Sequence, residues 1–390
     1  MKRLAGIIVL ACVGLAAGIW TTVWLSHPVL DGTIDLAGLD ARVEVGRDAY
    51  GVPVVTASSR RDLALATGFI HAQERFFQMD LLRRIAAGEL SALVGRAALG
   101  VDRDHRLHRF RAAAEQLVTV MPAGDRALLD AYTRGVNAGL AALRMKPFEY
   151  VVLRVQPEPW TPEDTLLVNY AMYFDLNDDD ASRDSSYARL HESLGPELVE
   201  FLMPEGTPWD APLIGPPLDV PPVPGPPTCD LTEPLTAARA RALTAGLDEF
   251  VIEQPMAGSN GWAVAAERSV NGRAIIANDM HLQLAAPNIW YRMRWIVAPG
   301  DDTELPLDIT GVTLPGAPVV VAGSNRNVAW GFTNSYGDWS DLVLLEQESA
   351  NPRRYRTPDG HRDLELYEET IVVRGEDPVM LTVESSIWGP

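Results

Sequence analysis

Nine prolines crowd the stretch from Pro208 to Pro227. Proline fixes φ and has no N–H to donate, so this stretch forms neither a helix nor a central strand. The connection from Gly206 to Gly258 is therefore read as irregular, apart from Ala237 to Ala245, whose composition suits a short helix. The two sides of it differ in texture. Apolar residues recur at helical spacing before it and the pattern becomes β after it, and helix-rich then strand-rich halves suit an α+β chain. With 390 residues, two or three ordinary domains or one large layered fold are allowed.

Before the connection, Ala41 to Val55 reads as a hairpin turning at Asp48-Ala49-Tyr50-Gly51. Ser59 and Asp62 make a capping-box-like start to a helix that runs to about Ala87, where Gly88 interrupts it. Leu63, Phe69, Phe76, Met79 and Leu82 fall on one face of that helix as core, with His71 as a structural histidine. Helices follow near Arg106 to Val120 and Asp125 to Leu143. Thr161 as cap, Pro162 at the first helical position and Asp164 begin another, which carries Tyr170, Met172, Tyr173 and Phe174. Asp178-Asp179-Asp180 precede a helix from about Ser182 to Leu194, where acids complement the helix dipole. After the connection, strands fit Trp262 to Ala266 and Arg273 to Ala277 on either side of Asn271-Gly272, a strong turn dipeptide. Further strands fit Ile289 to Val297, Val319 to Val321, Val328 to Thr333 and Leu342 to Leu345, with hairpins beyond Tyr355.

Leu4 to Leu25 is uncharged and mostly apolar behind Lys2-Arg3, long enough to cross a bilayer, and implies export. Both an uncleaved anchor and a signal peptide cut near Gly14-Leu15-Ala16 fit residues 1–25. Either way the positive end stays in the cytoplasm and the body lies outside, periplasmic or facing the periplasm. Val9-Leu10-Ala11-Cys12 is a loose match to a lipidation site, interrupted by the apolar run continuing past the cysteine. The chain carries 52 acidic against 33 basic residues, a formal net charge of −19, which argues against nucleic acid or anionic lipid as its main partner. Cys12 and Cys229 are its only cysteines, too few for a disulfide framework; Cys229 is read as an exposed loop thiol.

The irregular connection ends in Gly258-Ser259, and Ser259 opens the first strand after it. A serine hydroxyl is a poor nucleophile until a base takes its proton. Were Ser259 an N-terminus, its own α-amine, with a pKa of roughly 7.7–8.0, would be that base. Gly258 offers little obstruction to attack of Oγ on the preceding carbonyl. A conventional triad is not indicated, since Ser259 lies in no G-x-S-x-G elbow and no strand precedes it.

Several segments in order share a resemblance: GRDAYGVPVV from Gly46, GFIHAQERFFQMDLLRR from Gly68, GSNGWAV from Gly258, Ala277-Asn278-Asp279-Met280-His281, LPGAPVVVAGSNRNVAWGFTN from Leu314, and Gly337-Asp338-Trp339-Ser340-Asp341. Together they resemble the penicillin acylase (penicillin amidase) family of N-terminal nucleophile hydrolases. The resemblance implies a four-layer αββα sandwich and a zymogen that cuts itself before Ser259. Residues 26–205 would be the α-chain region, 206–258 the excised linker, and 259–390 the N-terminal part of the β-chain. The alternative for the linker is a tether that is never cut. The mature form would be a heterodimer of α and β chains from one precursor. By the same resemblance Ser259 is the nucleophile, the backbone N–H of Asn334 an oxyanion donor, and His281 a hydrogen-bonding group near the nucleophile. Phe174 would line the acyl pocket. Asp180, Asp338, Ser340 (through its carbonyl) and Asp341 would hold one Ca2+, with Asp184 one turn from Asp180; oxygen ligands from close acids suit such a hard cation. No organic cofactor is implied. The family's second oxyanion donor and an arginine lie downstream of the segment matching Ser386 to Pro390, so residues 1–390 alone are expected to turn over amides poorly. The implied activity is hydrolysis of the linear amide of an N-acylated small molecule, of penicillin or cephalosporin type or related, within a family tied to antibiotic biosynthesis. Histidine at position 281 is nearer the cephalosporin and acyl-homoserine lactone acylase branches. A lactone acylase and, in another class, an inactive membrane-anchored binding protein are the alternatives.

Overall fold

The computed structural model describes residues 2–177, 182–204, 206–209, 212, 214–226, 258–282, 284–297, 306–334 and 340–390. Helices precede strands along the chain. They are α1 (Lys2–Leu25), α2 (Arg60–Ala87), α3 (Ser91–Val94), α4 (Leu99–Leu107), α5 (Phe110–Val120), α6 (Ala123–Ala142), α7 (Phe148–Leu153), α8 (Pro162–Leu176), α9 (Ser182–Leu194) and α10 (Pro196–Leu202). Two strands, β1 (Glu44–Arg47) and β2 (Pro53–Ala57), form the early hairpin. The others follow residue 257: β3 (Gly258–Val264), β4 (Ile275–His281), β5 (Tyr291–Val297), β6 (Leu307–Thr313), β7 (Val320–Ser324) and β8 (Ala329–Trp330). They continue with β9 (Gln347–Glu348), β10 (Asn351–Thr357), β11 (Gly360–Asp363), β12 (Glu365–Ile371) and β13 (Val379–Ser385). The α+β class read from the sequence holds.

The chain divides into two compact units. The larger comprises residues 1–175, 258–334 and 346–390. Its main sheet runs β1-β2-β5-β6-β7-β8, with β2 and β5 parallel and the other neighbours antiparallel. Strand β2, from before Ser259, pairs Val54 to Ala57 with Arg294 to Val297 of β5, from after it. One sheet is thus built from both sides of the Gly258–Ser259 junction.

Helix α2 is the axis of this unit. Ser59 Oγ accepts the N–H of Asp62 at 3.1 Å, and Gly88 at φ +63° closes the last turn with its N–H on Arg84 and Ile85 carbonyls. The capping box is not reciprocal, because the Asp62 carboxylate accepts the N–H groups of Asp40 and Ala41 at 2.8 and 3.3 Å and ties down the segment leading to β1. Nor is there one apolar face. Leu63, Ala66 and Ile70 pack on β2 and β5 with Val55, Met293 and Trp295, whereas Leu65, Ala72, Phe76 and Met79 cluster with Tyr132 and Val136 of α6 and with Trp160. A helix between a sheet and another helix is covered nearly all round. Its approach to α6 is close enough to require glycine: a Cβ on Gly135 would lie 1.9 Å from Leu65 O, and one on Gly139 2.3 Å from Phe69 O.

At the far end of α2 a buried ion network joins it to α5 and α8. Arg83 reaches Asp80 at 2.7 Å and Asp164 at 2.6 Å, Arg84 reaches Asp80 and Glu158, and Arg111 reaches Asp164 at 2.8 Å. Burial alone would raise the Asp164 carboxyl, but Arg83 and Arg111 hold it below the usual range. Asp164 also accepts the N–H of Thr161 at 2.7 Å, while the Thr161 hydroxyl makes no hydrogen bond among the described residues. The start of α8 is therefore capped from inside the helix by Asp164, not from outside by the threonine.

The smaller unit comprises residues 176–257 and 335–345. In it α9 and α10 meet through Leu190, Leu194, Leu198 and Val199. Leu342 to Leu345, read as a strand, is irregular in the structure, and the central strand β6 carries no alternation strong enough to have been read.

Candidate active site

Ser259 is placed by the β3–β4 hairpin. Residues 265–274 join its strands through a 3-10 turn at Ala266–Arg268 and a second turn closed by the Gly272 N–H on the Ser269 carbonyl at 3.2 Å, with Gly272 at φ +66° and the N–H of Arg273 on Ser269 Oγ at 3.0 Å. The strands then pair in unbroken register from Val264 opposite Ile275 to Gly258 opposite His281, which sets Ser259 opposite Met280. Strand β3 begins at Gly258 and ends at Val264, earlier than the Trp262 to Ala266 reading, so the serine lies within the paired region. Directly opposed residues share a face of an antiparallel pair. Ser259, Gly261, Asn278 and Met280 therefore lie on one face, and Asn260, Asp279 and His281 on the other.

The backbone N–H of Asn334 donates to Ser259 Oγ at 2.6 Å. The residues between β8 and Asn334 are not a strand, although Val328 to Thr333 reads as one. They are held by a side chain. Asn278 Nδ2 donates to the Phe332 carbonyl at 2.7 Å and, more weakly, to the Asn260 carbonyl at 3.3 Å, while Asn278 Oδ1 accepts the Phe332 N–H at 3.1 Å. Gly331 is compatible with this because a Cβ there would lie 2.6 Å from Asn278 Oδ1. Sequence reasoning assigned no role to Asn278; the available signal was a second carboxamide three residues before His281 on an alternating strand.

His281 is on the hairpin but faces away from Ser259. Its Nε2 lies 3.3 Å from both Asn260 Nδ2 and Asp279 Oδ2. Phe174 belongs to an aromatic group on α4, α5 and α8: its ring stacks on His105 with centroids 3.9 Å apart and meets His108 and Phe110 at 5.0 and 5.2 Å. Asp180 and Asp338 lie outside the described residues. Ser340 and Asp341 are described, and among the described residues no three His, Cys, Asp or Glu side chains converge as a cation site. A cavity of about 390 Å³ lies against the ion network, lined by Arg84, Arg106, Arg111, Glu158 and Glu163, and includes none of Ser259, His281 or Asn334.

A hydroxyl with a backbone N–H trained on it, at the first residue after a glycine, is an arrangement suited to acyl transfer, where negative charge develops on oxygen beside the nucleophile. Comparison with known proteins agrees in class: a family model described as penicillin amidase matches residues 42–390, and the chain belongs to that family. It is 33% identical over 378 residues to the acyl-homoserine lactone acylase QuiP of Pseudomonas aeruginosa, covering 94% of this chain and 42% of that protein. It is 31% identical over 351 residues to the penicillin acylase 2 proenzyme of a Pseudomonas species, covering 89% and 43%. Among solved structures, a thermostable penicillin G acylase from Alcaligenes faecalis matches with a TM-score of 0.39 and 29% identity, over 45% of this chain and 98% of that one. The chain spans about two fifths of the length of the curated relatives it matches.

Proposed function

We propose that the protein containing this chain is an exported, self-processing amidohydrolase that cleaves the linear amide of an N-acylated small molecule through an acyl-enzyme on Ser259. The observation that carries this reading is the 2.6 Å hydrogen bond from the Asn334 N–H to Ser259 Oγ, at a serine preceded by glycine. In the first reaction Oγ attacks the carbonyl carbon of Gly258, the peptide C–N bond breaks, and an ester forms with a free α-amine on Ser259. Water then cleaves the ester and leaves a carboxylate on Gly258. In turnover the neutral amine accepts the hydroxyl proton, Oγ attacks the substrate amide, and the leaving amine departs with a proton. Water releases the acyl group. The Asn334 N–H serves the tetrahedral oxyanions; one such donor is worth about 2.7–4 kcal/mol.

Within this class, relatives named acyl-homoserine lactone acylases favour an N-acyl homoserine lactone over a penicillin as the substrate. Helix α1 has the length and composition of a membrane span and is read as a signal or anchor. The test is N-terminal sequencing and a substrate panel on the full-length gene product. The β fragment is expected to begin Ser259-Asn260-Gly261, the Ser259→Ala variant to stay uncut, and long-chain acyl-homoserine lactones to be cleaved faster than phenylacetyl, phenoxyacetyl or glutaryl amides. An intact Gly258–Ser259 bond in mature wild-type protein would instead support a binding protein that kept the fold.

A further inference from the structure

Asn278 mimics a strand. Its carboxamide takes both the N–H and the C=O of Phe332, at 3.1 and 2.7 Å, the double bond that a neighbouring peptide would make in an antiparallel ladder. Strand β8 ends at Trp330, and among the described residues the next ones join no strand ladder; Asn278 binds Phe332 to the Ser259 hairpin, and the Asn334 N–H adds its bond to Ser259 Oγ. Its own backbone is fixed by the register Gly261 opposite Asn278, two residues from Ser259 on the same face. The Asn334 N–H is only two residues beyond the bracketed Phe332. Gly331 closes the arrangement from the other side, as it leaves no Cβ to displace the carboxamide.

We infer that Asn278 is a positioning residue that sets where the Asn334 N–H lies relative to Ser259 Oγ, and so to the oxyanion that forms beside it, by holding the Phe332 peptide against β4. This rests on the proposed role of Ser259. Asn278 touches no reacting atom. Its effect is transmitted through Phe332 to the donor two residues on, and such a donor loses effect steeply when displaced: a 1 Å misplacement costs on the order of 10²-fold in rate.

The experiment uses the full-length gene product with wild type, Asn278→Ala, Asn278→Asp and Gly331→Ala, assayed on decanoyl-4-nitroanilide and phenylacetyl-4-nitroanilide. Asn278→Ala is expected to lower kcat by about 10- to 100-fold with KM changed less than about threefold, since the donor acts on the transition state more than on bound substrate. Gly331→Ala is expected to do the same without removing any polar group. Asn278→Asp separates positioning from general support. Its ionised carboxylate cannot donate to the Phe332 carbonyl, whereas the protonated acid can, so its activity relative to wild type at the same pH should rise as pH falls through the carboxyl range. Should the variants process poorly, the fraction cut at Gly258 by intact mass is read in place of kcat, and the same order of variants is expected. Wild-type kcat in Asn278→Ala, or a ratio of Asn278→Asp to wild type that does not change with pH, overturns the inference. Wild type inactive on both anilides and uncut at Gly258 would overturn the proposed function itself.

Discussion

At the scale of single residues, His71 shows how burial settles both a charge and a hydrogen-bond order. Its ring has no solvent exposure. Burial first, and the nearby Arg75 charge second, lower its pKa from the ordinary 6.5 to about 3. The neutral ring sits between Tyr132 Oη and Thr313 Oγ1, each at 2.9 Å. Tyr132 Oη accepts the Gly316 N–H and Thr313 Oγ1 donates to the Tyr291 carbonyl, so Tyr132 donates to Nδ1 and the ring carries its proton on Nε2. The unfolded chain binds a proton near pH 6.5 that the native ring refuses. Stability is therefore complete above that value and lost as pH falls towards 3, by up to about 1.4 kcal/mol per pH unit. Urea midpoints of wild type and His71→Asn between pH 7 and pH 5 check this: the wild type is expected to lose stability with acid and the variant to lose less, from a lower start. Equal slopes would show that another group controls the acid limb. That His71 is structural was legible in its helix position; its partners, 61 and 242 residues away, were not.

At the scale of elements, helix and strand positions were largely legible where the local signals were strong. Ser59 and Gly88 bound α2 as read, and Asn271-Gly272 falls in the β3–β4 connection, which is longer than the dipeptide turn alone. Local signals failed where tertiary partners took over. Leu307 to Thr313, with Asp308 and Gly311 breaking any apolar alternation, pair between β5 and β7 as a strand because both neighbours supply ladders. Val328 to Thr333 has the right composition, yet among the described residues only Ala329 and Trp330 of it join a strand ladder. The α2–α6 contact gives an element-scale prediction. Gly135→Ala puts a Cβ 1.9 Å from Leu65 O, whereas Gly124→Ala, in the same helix, meets nothing within 4 Å. Gly135→Ala is expected to destabilise by about 1–3 kcal/mol through overpacking, and Gly124→Ala to be neutral or stabilising by up to about 1 kcal/mol through helix propensity. Denaturant midpoints of the two variants decide it, and similar midpoints would remove the close-approach argument.

At the scale of the whole molecule, the segments before and after Gly258 are interleaved. They share the sheet at β2–β5, the His71 bridge to Thr313, and ion pairs from Arg106 and Arg109 to Glu369. If the proposed cut occurs, the two fragments of the full-length product should therefore co-elute in native gel filtration and separate only in denaturant. Separation in native buffer would mean that this shared sheet and core do not hold them. The division itself follows from what local chemistry can and cannot encode. Proline's lost N–H, a capping serine, an Asn-Gly turn and a glycine before a serine act within a few residues of themselves, so the sequence by itself determined the α+β order and the irregular backbone of the described residues between Gly206 and Pro226, and singled out Ser259. The Asn334 N–H was named through the resemblance alone; that it reaches Ser259 Oγ, that the Asn278 carboxamide brackets Phe332, and that His281 turns to the opposite face depend on strand register and on contacts made across as many as 75 residues. Only the tertiary structure decided those, because a side chain's face and its distant partner are set by pairing between segments, and no residue carries that information in its own neighbourhood.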